Sequence, residues 1–283
     1  MNLSDKALLV QLNISQWTAR KYDKRVTEQV AAQNGTTMAA GRYNKSLLPL
    51  NDYLAHVHQK ASAIRQRYYA NTLPWGLDGT QMLPSANYLA FMTEFRKEKS
   101  LWEQLVSDFV DNYSTLKRNA QTVLGKMYNE ADYPSETDIA GRFRMDLAVM
   151  PVPSTDFRVS LSDGELTRLQ ADIEKRLQDA SASAMKDVWQ RLYDRVQHMA
   201  ERLSDPTAVF RDSMVDNARE LCALLPRLNF ADDPNLEAMR NEVEARLTSH
   251  HPDSLRNNSL VRSSAAADAK QIMDKMSVFM GGL

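Results

Sequence analysis

The fold is decided by one uninterrupted stretch, residues 162–203, which reads SDGELTRLQADIEKRLQDASASAMKDVWQRLYDRVQHMAERL. Ser162 and Glu165 have the spacing of a capping box, in which each side chain satisfies an unpaired backbone N–H at a helix start. The next proline along the chain is Pro206, so no residue in between forces the helix to stop. The stretch therefore predicts a single helix about 60 Å long, at about 1.5 Å per residue.

Apolar residues recur along this helix at an average spacing of about 3.7 positions between Leu166 and Leu203. That spacing is nearer to an eleven-residue repeat (about 3.67 per turn) than to a heptad (about 3.5), which disfavours a leucine-zipper seam. The central segment 179–187, DASASAMKD, has small side chains and would let a partner helix approach closely. We therefore expect a nearly straight or slightly right-handed pairing with another helix.

A second long stretch without proline, residues 85–130, carries a helical stripe of apolar side chains. The polar run RKEKS at 96–100 interrupts the stripe, so the stretch is either one long helix or two helices. Long helices that are close in sequence commonly pack antiparallel. We expect 85–130 and 163–203 to form an elongated helical hairpin.

Alternating apolar residues between the two helices predict a β-hairpin, or β-tongue, at 143–161. A ribbon of two strands is marginal by itself. It therefore needs a third strand, supplied by the alternating residues 7–14 or by another subunit. The side chains expected to mediate self-association are Met145, Leu147, Val149, Phe157, Val159 and Leu161.

These patterns together predict a mainly α fold with a small β element, in which the tongue lies at the tip of the helical hairpin above a helical base. We divide the chain into a basic N-terminal region (1–83), the long helical hairpin with its tongue (84–204) and a C-terminal helical region (205–283). In the last region, Asp205-Pro206 and Asp233-Pro234 each have the pattern that opens a helix.

Composition is that of an ordinary globular protein, with 43% hydrophobic and 25% charged residues and a net charge of -1. The single cysteine, Cys222, excludes an intrachain disulfide framework and a cysteine-based zinc site. No window approaches the roughly 20 apolar residues of a membrane helix, and the N-terminus lacks a signal-peptide layout. We therefore expect a cytoplasmic protein and do not expect a membrane partner.

Motifs that carry catalytic chemistry are absent from the sequence. It contains no phosphate-binding G-x-x-x-x-G-K-[ST] loop, no G-x-G-x-x-G, no H-E-x-x-H and no G-x-S-x-G. Cys222 lies in an apolar stripe typical of a buried, inert thiol, and a helix would splay His56 and His58 apart. We expect no catalytic residue, no metal site and no cofactor; an enzyme with a non-standard site is the alternative.

The charge is distributed unevenly, because residues 1–75 hold ten lysines and arginines against four acidic residues. Many of these bases stand beside aromatic residues, a combination with which single-stranded nucleic-acid binders hold phosphates and stack bases. Three interpretations stay open: single-stranded DNA, docking of a protein partner or neighbouring subunit, and a solvated surface without a ligand. The candidate binding residues are Arg20, Lys21, Lys24, Arg25, Arg42, Tyr43, Lys45, Arg65 and Arg67.

Four segments carry a resemblance to a known family: ALLVQLNISQWTARKYDK (7–24), AAGRYNKSLLP (39–49), TLPWGLDG (72–79) and PVPSTDFRVSL (151–161). The sequences of these segments resemble those of a protein family that bacteriophages and integrative mobile elements encode. No activity is assigned to that family. Its members look to be encoded near MoxR-type AAA+ ATPases and cobaltochelatase-like proteins, sometimes near recombination genes. The resemblance implies an accessory or scaffold role with an AAA+ ATPase as partner, and it implies no catalytic residue.

We therefore expect a non-enzymatic, homo-oligomeric scaffold or adaptor of a phage or mobile element, acting in the bacterial host cytoplasm for an AAA+ ATPase or a recombination module. The first alternative is a single-stranded nucleic-acid-binding accessory protein that uses the basic N-terminal quarter. The second is a membrane-acting helical protein with a β-tongue. Arg144, Asp146, Asp156 and Arg158 lie within or beside the tongue and oppose its deep insertion into a bilayer.

Overall fold

A computed structural model describes residues 3–49, 51–77, 79–154 and 162–281. The predicted class, mainly α with a small β element, is confirmed. The helices are α1 (Leu3–Lys6), α2 (Lys24–Gln33), α3 (Asp52–Asn71), α4 (Ser85–Leu124), α5 (Asp163–Ser204), α6 (Ser213–Leu228), α7 (Pro234–Val243), α8 (Pro252–Asn257) and α9 (Ser259–Met280). The strands are β1 (Ala7–Ser15), β2 (Arg20–Tyr22), β3 (Asn44–Ser46), β4 (Leu73–Pro74), β5 (Thr80–Pro84) and β6 (Arg144–Pro151).

The two long stretches without proline each form one helix, and for 85–130 this decides between the one-helix and two-helix alternatives. Helix α4 has 40 residues, and the polar run at 96–100 does not interrupt it. It ends at Leu124 and is followed by Gly125, whose φ of 50° lies in the left-handed region that glycine adopts readily. Helix α5 has 42 residues and follows Ser162, which takes the N-cap position without a side-chain hydrogen bond. The start of α5 is confirmed, but the predicted bond from the Ser162 side chain is wrong.

Four strands form one small sheet in the order β4-β5-β1-β6. Strand β1 runs antiparallel to β5, with Ala7 opposite Pro84. The predicted strand at 7–14 is confirmed, and it lies beside β6, as expected for an internal third strand of the tongue. The second arm of the predicted tongue lies outside the described residues.

The chain forms two compact units, each assembled from separate segments. Unit 1 comprises residues 1–11, 68–92 and 148–283, and unit 2 comprises residues 12–67 and 93–147. Each unit therefore draws on more than one of the three regions that we delimited from the sequence.

Unit 1 is organised around α5, which packs most extensively against α9. Ala184, Val188 and Leu192 of α5 are fully buried and lie four residues apart on one face. Helix α9 contributes Ala265 and Ala269, also fully buried, to the same core. Small side chains on both helices permit a short interaxial distance, as the small central segment of α5 predicted.

The partner of α5 differs from the expected one, because we predicted that 163–203 would pair with 85–130. Several large apolar residues of α4 beyond position 93, among them Trp102 and Phe109, are buried in unit 2 instead. Proximity in sequence predicts a helical hairpin only where the apolar stripes of both helices are not already buried against other elements. Here α9 offers α5 a matching apolar face from the far end of the chain.

Unit 2 has an aromatic core that is supplemented by ion pairs. The ring of Trp17 lies 5.8 Å from that of Tyr113, and the ring of Phe109 lies 5.5 Å from that of Phe143, both edge-to-face. An ion pair of 2.5 Å between Lys60 and Glu98 joins α3 to α4. This core fixes the segments that carry the basic residues.

The two predicted Asp-Pro helix starts have different outcomes. Asp233 caps α7, as predicted, through hydrogen bonds from two backbone N–H groups to its carboxylate. The start predicted at Asp205 is wrong, because its carboxylate accepts from the N–H of Thr207 at 2.8 Å in a turn, and α6 begins only at Ser213. Arg262 donates to carbonyl oxygens on both sides of this turn and holds it out of the helix.

Candidate nucleic-acid interface

Strands β2 and β3 form an antiparallel ribbon, here named the basic ribbon, that brings several predicted binding residues together. Its register places Lys21 opposite Lys45 and Tyr22 opposite Asn44. Because side chains alternate between the two faces, Lys21 and Lys45 share one face, and Arg20 and Tyr22 share the other. Two like charges in directly opposite positions repel each other, so the lysine face requires a neutralising group.

Asp132 supplies that group. The Nζ atom of Lys45 lies 2.8 Å from the carboxylate of Asp132 and 3.8 Å from that of Asp23, and it donates to the carbonyl oxygen of Met127 at 2.6 Å. Lys21 Nζ lies 3.9 Å from Asp132. The side chain of Lys45 is only 7% exposed. Lys45 is therefore a buried structural residue of unit 2, and its charge is neutralised by oxygen atoms of the protein.

Asp23 connects this buried pair to the start of α2. Its Oδ1 atom accepts a hydrogen bond from the N–H of Val26 at 3.0 Å, which makes Asp23 the N-cap of the helix. The first helical residues are then Lys24 and Arg25, both exposed. Cations in the first turn oppose the helix dipole by about 0.3–1 kcal/mol each. The helix dipole therefore does not favour these two residues.

An open cleft of about 280 Å³ adjoins this helix start. We name it the cation cleft. Its exposed cations are Lys24, Arg25 and Lys126, while the charge of Lys45 is already matched inside the protein. The lining residues are Tyr22, Asp23, Lys24, Arg25, Lys45, Lys126, Met127, Tyr128, Asn129 and Asp132.

One wall of the cation cleft comes from the segment that follows α4, which the sequence reasoning missed. Gly125 ends α4 and opens the short 3₁₀ turn Gly125–Met127, which carries Lys126. Arg25 donates to the carbonyl oxygen of Lys126 at 3.4 Å. Tyr128 adds an aromatic ring, and its hydroxyl donates to Glu130. Partial burial and this carboxylate raise the pKa of Tyr128 to about 12, so its hydroxyl stays protonated and neutral.

Arg42 and Tyr43 lie just before β3 and are exposed. The guanidinium carbon of Arg42 is 5.9 Å from the ring centroid of Tyr22, a cation–π distance. The backbone of Tyr43 is fixed on both sides: its N–H donates to Thr27 Oγ1 at 3.0 Å, and its carbonyl accepts from the N–H of Asp23 at 2.9 Å. The segment before β3 is therefore held in place against the start of α2.

The remaining predicted binding residues, Arg65 and Arg67, lie on α3 and do not line the cation cleft. Arg67 is engaged in ion pairs with Glu94 at 2.5 Å and Glu98 at 3.5 Å. Arg65 is exposed. The structure therefore brings together the basic residues of the ribbon and of α2, but not those of α3.

Three of the six residues predicted to mediate self-association lie on β6. Met145 is buried, Leu147 is half-buried and Val149 is 39% exposed. Of these three, Val149 is the most exposed. Phe157, Val159 and Leu161 lie outside the described residues.

Reactive groups elsewhere have ordinary structural surroundings. Cys222 is buried in α6, and burial raises the pKa of its thiol to about 12, which leaves it protonated and unreactive. His58 Nε2 lies 2.9 Å from the carbonyl oxygen of Trp17. Within the described ranges, no three His, Cys, Asp or Glu side chains converge as metal ligands. Within the same ranges, none of the helices combines the length and the apolar character needed to cross a bilayer.

Comparison of the chain with protein families, with curated proteins and with solved structures finds no match.

Proposed function

We propose that this protein is a non-enzymatic accessory protein that binds nucleic acid through the cation cleft. The observation that carries the proposal is the convergence of Lys24, Arg25 and Lys126 on one cleft. Within the described residues, Arg25 and Lys126 form no ion pair, and Lys24 has only a solvent-exposed one with Glu28 at 3.7 Å. Exposed pairs of this kind contribute little, so all three charges are available to phosphates.

The surroundings of these cations favour nucleic acid over an acidic protein. Tyr22 and Tyr128 line the same cleft. Arg20 and Arg42 extend the positive charge along the basic ribbon. Phosphate contacts beside aromatic rings are the combination that nucleic-acid-binding grooves use. An acidic peptide would use the cations but would have no general need for the rings.

Charge reversal of the cleft tests the proposal. Binding of a labelled single-stranded oligonucleotide is measured by fluorescence anisotropy at 50 and 200 mM salt. Three to four phosphate contacts predict a roughly 20- to 50-fold loss of affinity over this range. The variant Lys24→Glu/Arg25→Glu should bind at least about tenfold more weakly than the wild type and should show a shallower salt dependence.

The matched control is Arg65→Glu/Arg118→Glu, which changes the net charge equally at exposed positions of unit 2 outside the cleft. It should bind like the wild type. Equal losses in both variants would mean that only net charge matters, and the proposed site would then be rejected. Tight binding of an acidic peptide with no binding of the oligonucleotide would reject nucleic acid as the ligand and indicate a protein partner instead.

A second candidate is a self-assembling scaffold or adaptor, in line with the resemblance to proteins encoded near AAA+ ATPases. The exposed Val149 on β6, the last strand in the sheet order, favours it. Mass photometry of the wild type and of Val149→Lys decides this point. Oligomers that dissociate in the variant support the scaffold, and a wild type that is monomeric at all concentrations excludes it. For either role we propose the bacterial cytoplasm as the compartment.

A further inference from the structure

We propose that Tyr22, backed by Arg42, is a platform on which an unpaired base stacks, so that the ligand of the cation cleft is single-stranded. This inference rests on the proposed nucleic-acid function. It adds whether the bound nucleic acid is single- or double-stranded, which phosphate contacts alone do not determine. Cations recognise the backbone of single and double strands alike. A stacking ring selects unpaired bases, because the bases of a duplex are already stacked on one another.

The structure excludes most aromatic residues of the basic quarter from this role. Trp17 packs against Phe109 and Tyr113 in the core of unit 2. Tyr68 is buried in unit 1, where its hydroxyl donates to the carbonyl oxygen of Val10 at 2.8 Å. The ring of Tyr69 lies edge-on to that of Tyr68 at 5.1 Å. The rings of Trp17 and Tyr68 therefore belong to the packing of the protein.

Four tyrosines of the basic quarter remain exposed: Tyr22 and Tyr43 at 41%, Tyr53 at 42% and Tyr69 at 49%. Of these, only Tyr22 lines the cation cleft, together with Lys24 and Arg25, which follow it closely in the chain. Phosphates held by those two cations would bring the attached bases within reach of this ring. Tyr43 does not line the cleft and therefore provides a matched comparison.

Arg42 prepares the Tyr22 ring for stacking. Its guanidinium lies 5.9 Å from the ring centroid, and Arg42 itself does not line the cleft. The guanidinium therefore supports the ring while leaving the cleft open. A ring held in one position loses less conformational entropy when a base stacks on it.

The backbone that presents this ring is equally fixed. Tyr22 lies between Lys21 and Asp23. Lys45, the cross-strand partner of Lys21, forms an ion pair with Asp132, and Asp23 is the N-cap of α2. The platform is therefore built on an ordered ribbon rather than on a loop tip.

The experiment compares two labelled probes of about 15 nucleotides, near the upper end of single-strand site sizes. One is a thymidine oligonucleotide, and the other is an abasic backbone of the same length and charge. The wild type should bind the thymidine probe roughly tenfold more tightly than the abasic probe. Tyr22→Leu should lose this preference while binding the abasic probe as the wild type does. Tyr22→Trp should keep the preference, and so should Tyr43→Leu.

The outcomes separate the two proposals. Equal binding of both probes by the wild type, or an unchanged preference in Tyr22→Leu, would overturn the platform and leave the nucleic-acid function standing. Binding of neither probe at low salt would reject both. If Tyr22→Leu fails to fold, photocrosslinking of the wild type with a 5-iodouridine probe gives the answer. A crosslink mapped to Tyr22 supports the platform, and crosslinks mapped only elsewhere refute it.

Discussion

The interiors of the two units differ in kind. Unit 1 has a mostly aliphatic core, rich in alanine, leucine and methionine, where α5 packs along α9. Unit 2 combines an aromatic cluster with buried or largely buried ion pairs, Lys45–Asp132 and Lys60–Glu98. An aliphatic core needs only complementary volume, whereas an ion pair requires defined positions for two groups. The candidate binding surface lies in the unit whose loops are fixed by charge.

The largest effect is expected from breaking the buried pair of unit 2. Asp132→Ala leaves the Lys45 ammonium buried without its nearest carboxylate, which should lower the free energy of unfolding by about 3–5 kcal/mol. Urea denaturation followed by circular dichroism measures the loss. The double variant Lys45→Met/Asp132→Leu removes both charges and should recover most of it. A loss below about 1 kcal/mol in Asp132→Ala would show that the pair contributes little.

A cavity in the aliphatic core of unit 1 should have the next largest effect. Leu192→Ala should cost about 2–5 kcal/mol, because Leu192 is fully buried and its neighbours can fill the space only in part. Leu169→Ala, on the same helix at a position 39% exposed, should cost less than about 0.5 kcal/mol. Folded Leu192→Ala protein should bind the oligonucleotide like the wild type. Weaker binding by this variant would contradict the proposal that the binding site is the cation cleft of unit 2.

The smallest effect is a pH dependence of the other ion pair. The hydrogen bond from Lys60, with the charges of Lys60, Arg67 and Lys97, holds the pKa of Glu98 below its ordinary 4.5 despite burial. The stabilisation is therefore complete above pH 4.5 and is lost as the pH falls through the lower pKa of the folded state. Glu98→Gln should cost about 1–3 kcal/mol at pH 7 and progressively less below pH 4.

The control for this pH dependence is Glu103→Gln, whose side chain is 57% exposed. It should change stability little at either pH. An equal cost of Glu98→Gln at pH 7 and at pH 3 would contradict the role given to its charge.

Features of the fold that depend on local signals could be predicted from the sequence. The absence of proline predicted α4 and α5, and Asp233-Pro234 predicted the start of α7. Features set by distant contacts could not. The start expected at Asp205 is displaced because Arg262, more than 50 positions away, binds the carbonyl oxygens of that turn. The pairing of α5 with α9 likewise depends on a helix that lies beyond three intervening ones.

The candidate site follows the same division. Lys24 and Arg25 were predicted to be binding residues from their charge and their aromatic neighbours, and both line the cation cleft. Lys45 carries the same local signal, yet it is buried, because Met127 and Asp132 come to it from more than 80 positions away. No periodicity or motif connects those segments. Lys126 was missed for the same reason.

The buried Lys45–Asp132 pair and the exposed cations of the cleft also differ in their response to ionic strength. At about 0.15 M salt, charges in solvent are screened over about 8 Å, whereas buried pairs are screened much less. Concentrated salt should therefore release a polyanion from Lys24 and Arg25 while the ribbon that builds the cleft stays folded. If the cation cleft binds nucleic acid as proposed, a high-salt wash during purification should remove it, and dialysis to low salt should leave folded protein with an intact, empty cleft.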